Sequence, residues 1–239
     1  MKYADIFFDF DDTLYDTRGN AQRSLEETFE AYDLHNNFSD PDIFYTEYWD
    51  VNQQLWKRYN NNEITKDFLV IERFKLPLLL GKNLSVTDDY CKRMSDTFLD
   101  FCSNKPGLLP GALELVSYLK EKGYKLHICS NGFHEVQYKK PAACGLQDYF
   151  DTVILSEDAG YNKPSEKFFD YALLTTKAKK ENTLMVGDNY VADVCGALNY
   201  GIDACLYQRW EKEFAPDREV TFIVDMLTEL KDILWTFIE

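Results

Sequence analysis

Five short apolar runs, separated by longer segments of helical periodicity, constrain the fold of this chain more than any other feature. The runs are YADIFFDF at 3–10, YKLHICS at 124–130, DTVILSE at 151–157, NTLMVGD at 182–188 and IDACLY at 202–207. A sixth run, EVTFIV at 219–224, is a candidate edge strand. Short apolar runs that alternate with helices of ten or more residues indicate a parallel sheet covered by helices on both faces. The sequence therefore predicts an α/β protein with a Rossmann-like parallel-sheet core.

Between the first two runs the alternation stops. Residues 16–105 show only helical patterns, for example Tyr90, Met94 and Phe98 at four-residue spacing. The segment closes at NKPGLLPG, 104–111, whose prolines and glycines are typical of a linker. We predict a core of residues 1–15 and 106–239, with a separate helical domain at 16–105.

The charge balance narrows the classes of partner. The chain has 41 acidic against 26 basic residues and a formal net charge of −15, which disfavours long nucleic acids and anionic membranes. No apolar stretch approaches the ~18 residues that a membrane span needs, and MKYADIFF does not read as a secretory signal. The six scattered cysteines read as reduced thiols, so we expect a cytoplasmic protein. A small anionic substrate remains compatible with the charge; the sequence leaves the oligomeric state open.

Polar residues follow the predicted strands at the point where each strand ends. They are Asp9 and Asp11 after the first strand, Ser130, Asn131 and Gly132 after the second, Lys163 beyond the third, and Asp188 with Asn189 after the fourth. In open α/β sheets, ligands bind beyond the carboxyl ends of the strands. We therefore expect these side chains to form one site.

The spacing of the carboxylates indicates a metal ion. Asp9 and Asp11 are two residues apart, so in extended backbone they point to the same side. Their mutual repulsion is tolerable if a cation lies between them or if one holds a proton. Asp188 would add a third oxygen ligand, and an all-oxygen site that keeps several waters suits Mg²⁺ better than zinc.

The same residues can be given roles in phosphate chemistry. A carboxylate beside Mg²⁺ can attack phosphorus, and Lys163 would offset the charge of the transferring group. The Ser130 hydroxyl and the backbone N–H groups of Asn131 and Gly132 could hold phosphate oxygens. If its surroundings let it carry a proton, Asp11 could protonate the leaving oxygen and later deprotonate water.

Taken in order, these residues resemble the four-motif set of the haloacid dehalogenase (HAD) superfamily. The matching elements are Asp9-x-Asp11-x-Thr13, then Ser130-Asn131, then Lys163-Pro164, then Gly187-Asp188 with Asp193 five residues on. The helical segment after the first motif resembles the C1-type cap of that superfamily.

The resemblance implies specific roles. Asp9 would be the nucleophile that becomes an aspartyl-phosphate, and Asp11 the general acid/base. Mg²⁺ would be held by the side chains of Asp9 and Asp188 and by the backbone carbonyl of Asp11. Three further residues would support the site: Thr13, Asn189 and Asp193.

The founding dehalogenases usually lack the second acidic residue of the first motif, so Asp11 with Asp188 favours phosphate chemistry. SNGFHEVQ and the stretch from Asp148 to Leu173 are similar to the pyrimidine-type 5′-nucleotidases of the superfamily. We therefore expect a Mg²⁺-dependent phosphatase of small phosphorylated metabolites, preferably nucleoside 5′-monophosphates. The alternatives are a phosphatase of sugar phosphates or other small organic phosphates, a phosphomutase, a 2-haloacid dehalogenase and a non-catalytic binding protein.

Overall fold

The computed structural model describes residues 2–209 and 215–237 of the chain. It divides into two compact units, Met1–Arg18 with Pro106–Glu239 and Gly19–Lys105. We call the first the core unit and the second the helical unit.

The helical unit contains most of four helices and has its own apolar core. The helices are α1 (Thr17–Ala31), α2 (Pro41–Asn60), α3 (Lys66–Leu78) and α4 (Asp88–Ser103). Asp40, Thr65 and Thr87 cap the last three, because each side chain accepts a hydrogen bond from a backbone N–H of the first turn. Phe44, Phe74 and Phe98 are among the rings buried between the helices, as the spacing of apolar residues in this segment predicts.

The core unit is built on one sheet of six parallel strands. They are β1 (Asp5–Phe8), β2 (Lys125–Ser130), β3 (Thr152–Leu155), β4 (Thr183–Gly187), β5 (Asp203–Tyr207) and β6 (Phe222–Val224). Their order is β3-β2-β1-β4-β5-β6, and every neighbouring pair is parallel. The predicted α/β class and parallel-sheet core are confirmed, and the sixth run does form an edge strand.

Helices and short helical turns connect these strands. The α-helices are α5 (Ala112–Glu121), α6 (His134–Gln137), α7 (Lys140–Ala143), α8 (Ser156–Ala159), α9 (Glu166–Thr176), α10 (Gly196–Tyr200) and α11 (Glu229–Trp235). A π-helical segment, Tyr190–Cys195, precedes α10. Among the described residues, no helix combines the length and apolar character needed to cross a bilayer.

The central strands are mostly apolar and buried because both faces of the sheet are covered. Ile6 and Phe8 pack in one cluster together with Ile128, whereas Phe7 packs on the opposite side with Cys129. Alternate residues of one strand thus belong to different cores, which explains why the runs are continuous rather than alternating in polarity.

The strand order places β1 at the centre of the sheet, between β2 and β4. The chain adds strands to one side of β1 first and then returns to add the others on the opposite side. In parallel α/β sheets this switch point opens a crevice beyond the strand ends, where ligands bind. Asp9 follows β1 and Asp188 follows β4, so both stand at the crevice.

We expect Ile128→Ala to lower the free energy of unfolding by about 2–5 kcal/mol, because it leaves a cavity under the centre of the sheet. Urea unfolding of the purified protein measures the change. Leu174→Ala is the matched control: Leu174 is 78% exposed, so its loss should stay within about 0.5 kcal/mol. Equal effects of the two substitutions would contradict the position assigned to β2.

Candidate active site

Asp9 is fixed at the end of β1 by its own backbone and by its neighbours. Its N–H donates to the carbonyl of Val186 at 2.8 Å, which extends the pairing of β1 and β4 by one residue. Its carboxylate is buried, with only 8% of the residue exposed. A charged group in this position needs partners within the protein.

Thr13 joins the loops after β1 and β4. Its buried hydroxyl lies 3.2 Å from Asp9 Oδ2 and 3.2 Å from Asp188 Oδ1, and it accepts the backbone N–H of Asp188 at 3.1 Å. The hydroxyl serves as both donor and acceptor. One short side chain therefore keeps the two carboxylates together.

Lys163 is the buried cation of the site. Its ammonium group lies 2.7 Å from Asp9 Oδ1, 2.7 Å from Asp193 Oδ1 and 2.6 Å from the carbonyl of Cys129. Burial disfavours the charge, but Asp193 and Asp9 outweigh it and raise the pKa of Lys163 above its ordinary value. Lys163 is therefore a fixed positive charge shared by two carboxylates.

Asp188 completes a cluster of three carboxylates. Asp9, Asp188 and Asp193 each offer an oxygen, and these oxygens lie within 4.8 Å of one another. Burial, then Asp9 and Asp193, raise the pKa of Asp188 well above its usual value. Burial also raises the pKa of Asp9 to about 7 against the opposing charge of Lys163. Three acids around one lysine leave negative charge in excess, and hard oxygen donors in this arrangement fit a divalent ion such as Mg²⁺.

Asp193 reaches the cluster because Gly187 has no side chain. A Cβ at position 187 would collide with the Asp193 carboxylate. The same carboxylate accepts the N–H of Asn189 at 3.1 Å. The Asn189 side chain accepts the N–H groups of Val191 and Ala192 at 3.1 and 2.9 Å and so caps the π-helical segment.

Asp11 has a different set of neighbours. Its Oδ1 accepts from Thr17 Oγ1 at 2.7 Å and from Lys140 Nζ at 2.5 Å, and its Oδ2 accepts from Gln137 Nε2. Burial opposes ionisation, but Lys140, followed by Thr17 and Gln137, holds the pKa of Asp11 below its usual value. The neighbours seen here thus favour the charged form, whereas the expected acid role requires a proton.

The loop after β2 is ordered by its own side chains. Gly132 donates its N–H to Ser130 Oγ at 2.9 Å, and Gln137 Nε2 donates to the same oxygen at 2.9 Å. The Asn131 side chain accepts the Lys163 N–H at 2.8 Å and donates to its carbonyl at 3.0 Å. The second and third motifs of the sequence are therefore tied to each other directly.

The structure adds residues that the sequence reasoning missed. Lys140, Gln137 and Thr17 all contact Asp11. The sequence predicts Asp193 as a supporting residue, and the structure adds that it pairs with Lys163. Lys140 has an identical neighbour, Lys139, which is exposed. Neither periodicity nor composition distinguishes the two lysines. The two lysines are distinguished only by the path of the chain between α6 and α7, which buries Lys140 and exposes Lys139.

Comparisons with known proteins all identify the same family. The family model described as haloacid dehalogenase-like hydrolase matches residues 6–207. The chain is 31% identical to the pyrimidine 5′-nucleotidase YjjG of Escherichia coli, over 98% of this chain and 99% of that protein. It is 28% identical to a glyceraldehyde 3-phosphate phosphatase of Methanothermobacter thermautotrophicus, over 96% of this chain and 98% of that protein.

A solved structure resembles the present one along nearly its whole length. The putative HAD-hydrolase YfnB of Bacillus subtilis, crystallised with magnesium bound, superimposes with a TM-score of 0.85 at 29% identity. The match covers 98% of this chain and 99% of that one. The present fold is thus shared with that putative hydrolase along nearly the whole chain.

In the absence of divalent ions, we expect Asp188→Asn to stabilise the protein at pH 8, because the substitution removes a charge that the folded state disfavours. The folded-state pKa of Asp188 is raised, so its ionisation costs stability as the pH rises from about 4, the unfolded value, through the folded value. The advantage of the variant should therefore vanish near pH 4. Urea unfolding in EDTA at both pH values measures it.

Asp148→Asn, at an exposed position of the core unit, is the control for that experiment and should shift stability equally at both pH values. A variant at position 188 that is less stable than wild type at pH 8 would refute the repulsion among the three carboxylates.

Proposed function

Because the chain belongs to the haloacid dehalogenase-like hydrolase family and is an enzyme of its phosphatase type, we propose that it is a Mg²⁺-dependent phosphomonoester hydrolase that forms an aspartyl-phosphate on Asp9. The observation that carries the proposal is the cluster of Asp9, Asp188 and Asp193 at the switch point of the sheet, with the buried Lys163 paired to Asp9 and Asp193. Residues 1–15 and 106–239 would be the catalytic core and residues 16–105 the C1-type cap.

Asp9 has the surroundings that a nucleophile needs. Lys163 and Thr13 hold its two oxygens, so the carboxylate has a fixed orientation. Lys163 is a permanent positive charge that would stay close to the phosphoryl group as that group binds. Asp193, by sharing Lys163, keeps this ammonium group in place.

Mg²⁺ would be held by the side chains of Asp9 and Asp188 and by the backbone carbonyl of Asp11. The fit rests on the excess of negative charge, since Asp188 and Asp9 both have raised pKa values without a cation. When bound, the ion would neutralise the charge of the phosphoryl oxygens. Asp193 is paired with Lys163 and would support the site from there.

The reaction would run in two steps. In the first, an oxygen of Asp9 bonds to phosphorus as the bond from phosphorus to the leaving oxygen breaks, and Asp11 gives its proton to that oxygen. In the second, Asp11 takes a proton from water, and the water oxygen displaces Asp9 from phosphorus, which releases phosphate. A bound phosphate dianion would raise the pKa of Asp11 and so oppose the effect of Lys140 on it. Ser130 would hold a phosphoryl oxygen.

We assign nucleoside 5′-monophosphates as the preferred substrates. The assignment is supported by the similarity to a pyrimidine 5′-nucleotidase over nearly the full length of both proteins. Small sugar phosphates are the second candidate, supported by the similarity to a glyceraldehyde 3-phosphate phosphatase of almost equal extent.

We expect Asp9→Asn to reduce phosphate release from a chromogenic aryl phosphate by at least about 10³-fold, because the amide cannot form the phosphorylated intermediate. EDTA should abolish wild-type turnover and added Mg²⁺ should restore it. Phosphate release under steady-state conditions measures both effects.

Asp148→Asn changes an exposed aspartate in the same way and should leave turnover unaltered. Substantial activity in Asp9→Asn would refute the assignment of Asp9 as the nucleophile. Wild-type activity that EDTA does not change would refute the requirement for a metal ion.

A panel of purified substrates tests the substrate class. We expect kcat/KM for the best nucleoside 5′-monophosphate to exceed that for glyceraldehyde 3-phosphate by about tenfold or more, because a fitted site gains contacts from the base and the ribose. The opposite ranking would favour the sugar-phosphate alternative. Formation of an isomerised sugar phosphate without free phosphate would instead indicate a mutase.

A further inference from the structure

We propose that Lys140 is a positioning residue for the general acid/base: it anchors Oδ1 of Asp11 so that Oδ2 carries the catalytic proton. The inference rests on the proposed function, because it presupposes that Asp11 protonates the leaving oxygen.

The contacts of Asp11 distinguish its two oxygens. Oδ1 accepts from both Lys140 Nζ and Thr17 Oγ1, at 2.5 and 2.7 Å, whereas Oδ2 accepts from Gln137 Nε2 alone among the described residues. A carboxylate has about four acceptor positions, and two of them lie on each oxygen. Oδ1 is therefore fully engaged, and one position remains on Oδ2.

Oδ2 also lies on the side where the phosphate is expected. Gln137 Nε2 contacts both Asp11 Oδ2 and Ser130 Oγ, the second at 2.9 Å. A single amide nitrogen thus spans the gap between the acid/base and the proposed phosphate-binding hydroxyl. Gly132 makes room for this amide, since a Cβ at position 132 would collide with the Gln137 side chain.

Lys140 is held firmly enough to act as an anchor. Its side chain is only 8% exposed, and its ammonium group lies 5.0 Å from the centre of the Tyr15 ring. The pair it forms with Asp11 is separate from the one at Asp9, which is served by Lys163. Each of the two carboxylates of the first motif therefore has its own buried lysine.

This geometry has a consequence that depends on the leaving group. As the phosphorus–oxygen bond breaks, the proton of Asp11 Oδ2 passes to the departing oxygen. An alkoxide leaves poorly without that proton, whereas the phenoxide of a nitrophenyl ester needs little help. A misplaced Asp11 would therefore slow the hydrolysis of an alkyl phosphate more than that of an aryl phosphate.

The test compares Lys140→Met with wild type on two substrates, a nucleoside 5′-monophosphate and p-nitrophenyl phosphate. The quantity measured is kcat/KM, which reports the steps up to formation of the phosphorylated enzyme. We expect a loss of about 10- to 100-fold on the nucleotide and of less than about threefold on the aryl ester. Lys139→Met, which removes the exposed neighbouring lysine, should change neither value.

A double-mutant cycle separates positioning from a general loss of structure. In an Asp11→Asn background, Lys140→Met should have no further effect on the nucleotide, because the group it positions is already gone. Lys140→Arg keeps the charge and should recover part of the nucleotide activity. Thermal unfolding confirms that each variant is folded; should Lys140→Met not fold, the comparison of substrates is made with Lys140→Arg and Lys140→Gln.

Each outcome of these measurements either supports or overturns the role of Lys140. Equal losses on the two esters, no loss on either, or additive losses with Asp11→Asn would overturn the role of Lys140 while leaving the phosphatase assignment intact. A folded wild-type protein that hydrolyses neither ester nor any phosphate of the substrate panel in Mg²⁺ would refute the proposed function itself, and the inference with it.

Discussion

Three carboxylates meet at a site where one buried lysine pairs with two of them, and the rest of the site depends on this imbalance of charge. Lys163 contacts Asp9 and Asp193 at the same distance, so its single charge is divided between two acids. Asp188 is linked to Asp9 through Thr13, but among the described residues it forms no ion pair with Lys163. Burial strengthens the repulsion because little water is present to screen it. The fold maintains a local arrangement that is unfavourable by itself, which is characteristic of sites built to receive a ligand.

The two carboxylates of the first motif show how position alone separates chemical roles. Asp9 and Asp11 are two residues apart, yet the pKa of the first is raised to about 7 and that of the second is lowered. The raised pKa of Asp9 comes first from burial and then from the nearby Asp193, whereas at Asp11 burial is outweighed by Lys140, Thr17 and Gln137 together. Such a division between two like residues is a common way to obtain different functions from one residue type.

Much of the fold could be predicted from the sequence because its physical causes are local. Strands β1, β2 and β4 are largely buried on both faces, and the polar residue after each stands at the crevice because parallel strands end on the same edge. The C-terminal helix shows the limit. Apolar residues at helical spacing run from Met226 to Phe237 in the sequence. The helix nevertheless begins only at Glu229, whose carboxylate accepts the N–H groups of Asp225 and Met226. Periodicity cannot report a side chain that delays the start of a helix. The contact between Lys140 and Asp11 could not be predicted from the sequence for a related reason. Lys139 and Lys140 are identical residues, and only the path of the folded chain directs Lys140 towards Asp11.

Glycine at two strand ends explains how so many polar groups share so little space. At Gly187 and at Gly132 the place of the missing Cβ is taken by a side chain six and five residues further on, the carboxylate of Asp193 and the amide of Gln137 respectively. Each of these side chains folds back towards its strand end and there contacts a group of the site, Lys163 in one case and Asp11 in the other. Both positioning groups are therefore placed by backbone geometry before any ligand arrives. Fixed dipoles and charges that need no rearrangement during the reaction are the most effective form of electrostatic catalysis. A larger residue at either glycine would displace the group that orients the chemistry while leaving every proposed metal ligand and the nucleophile unchanged in the sequence.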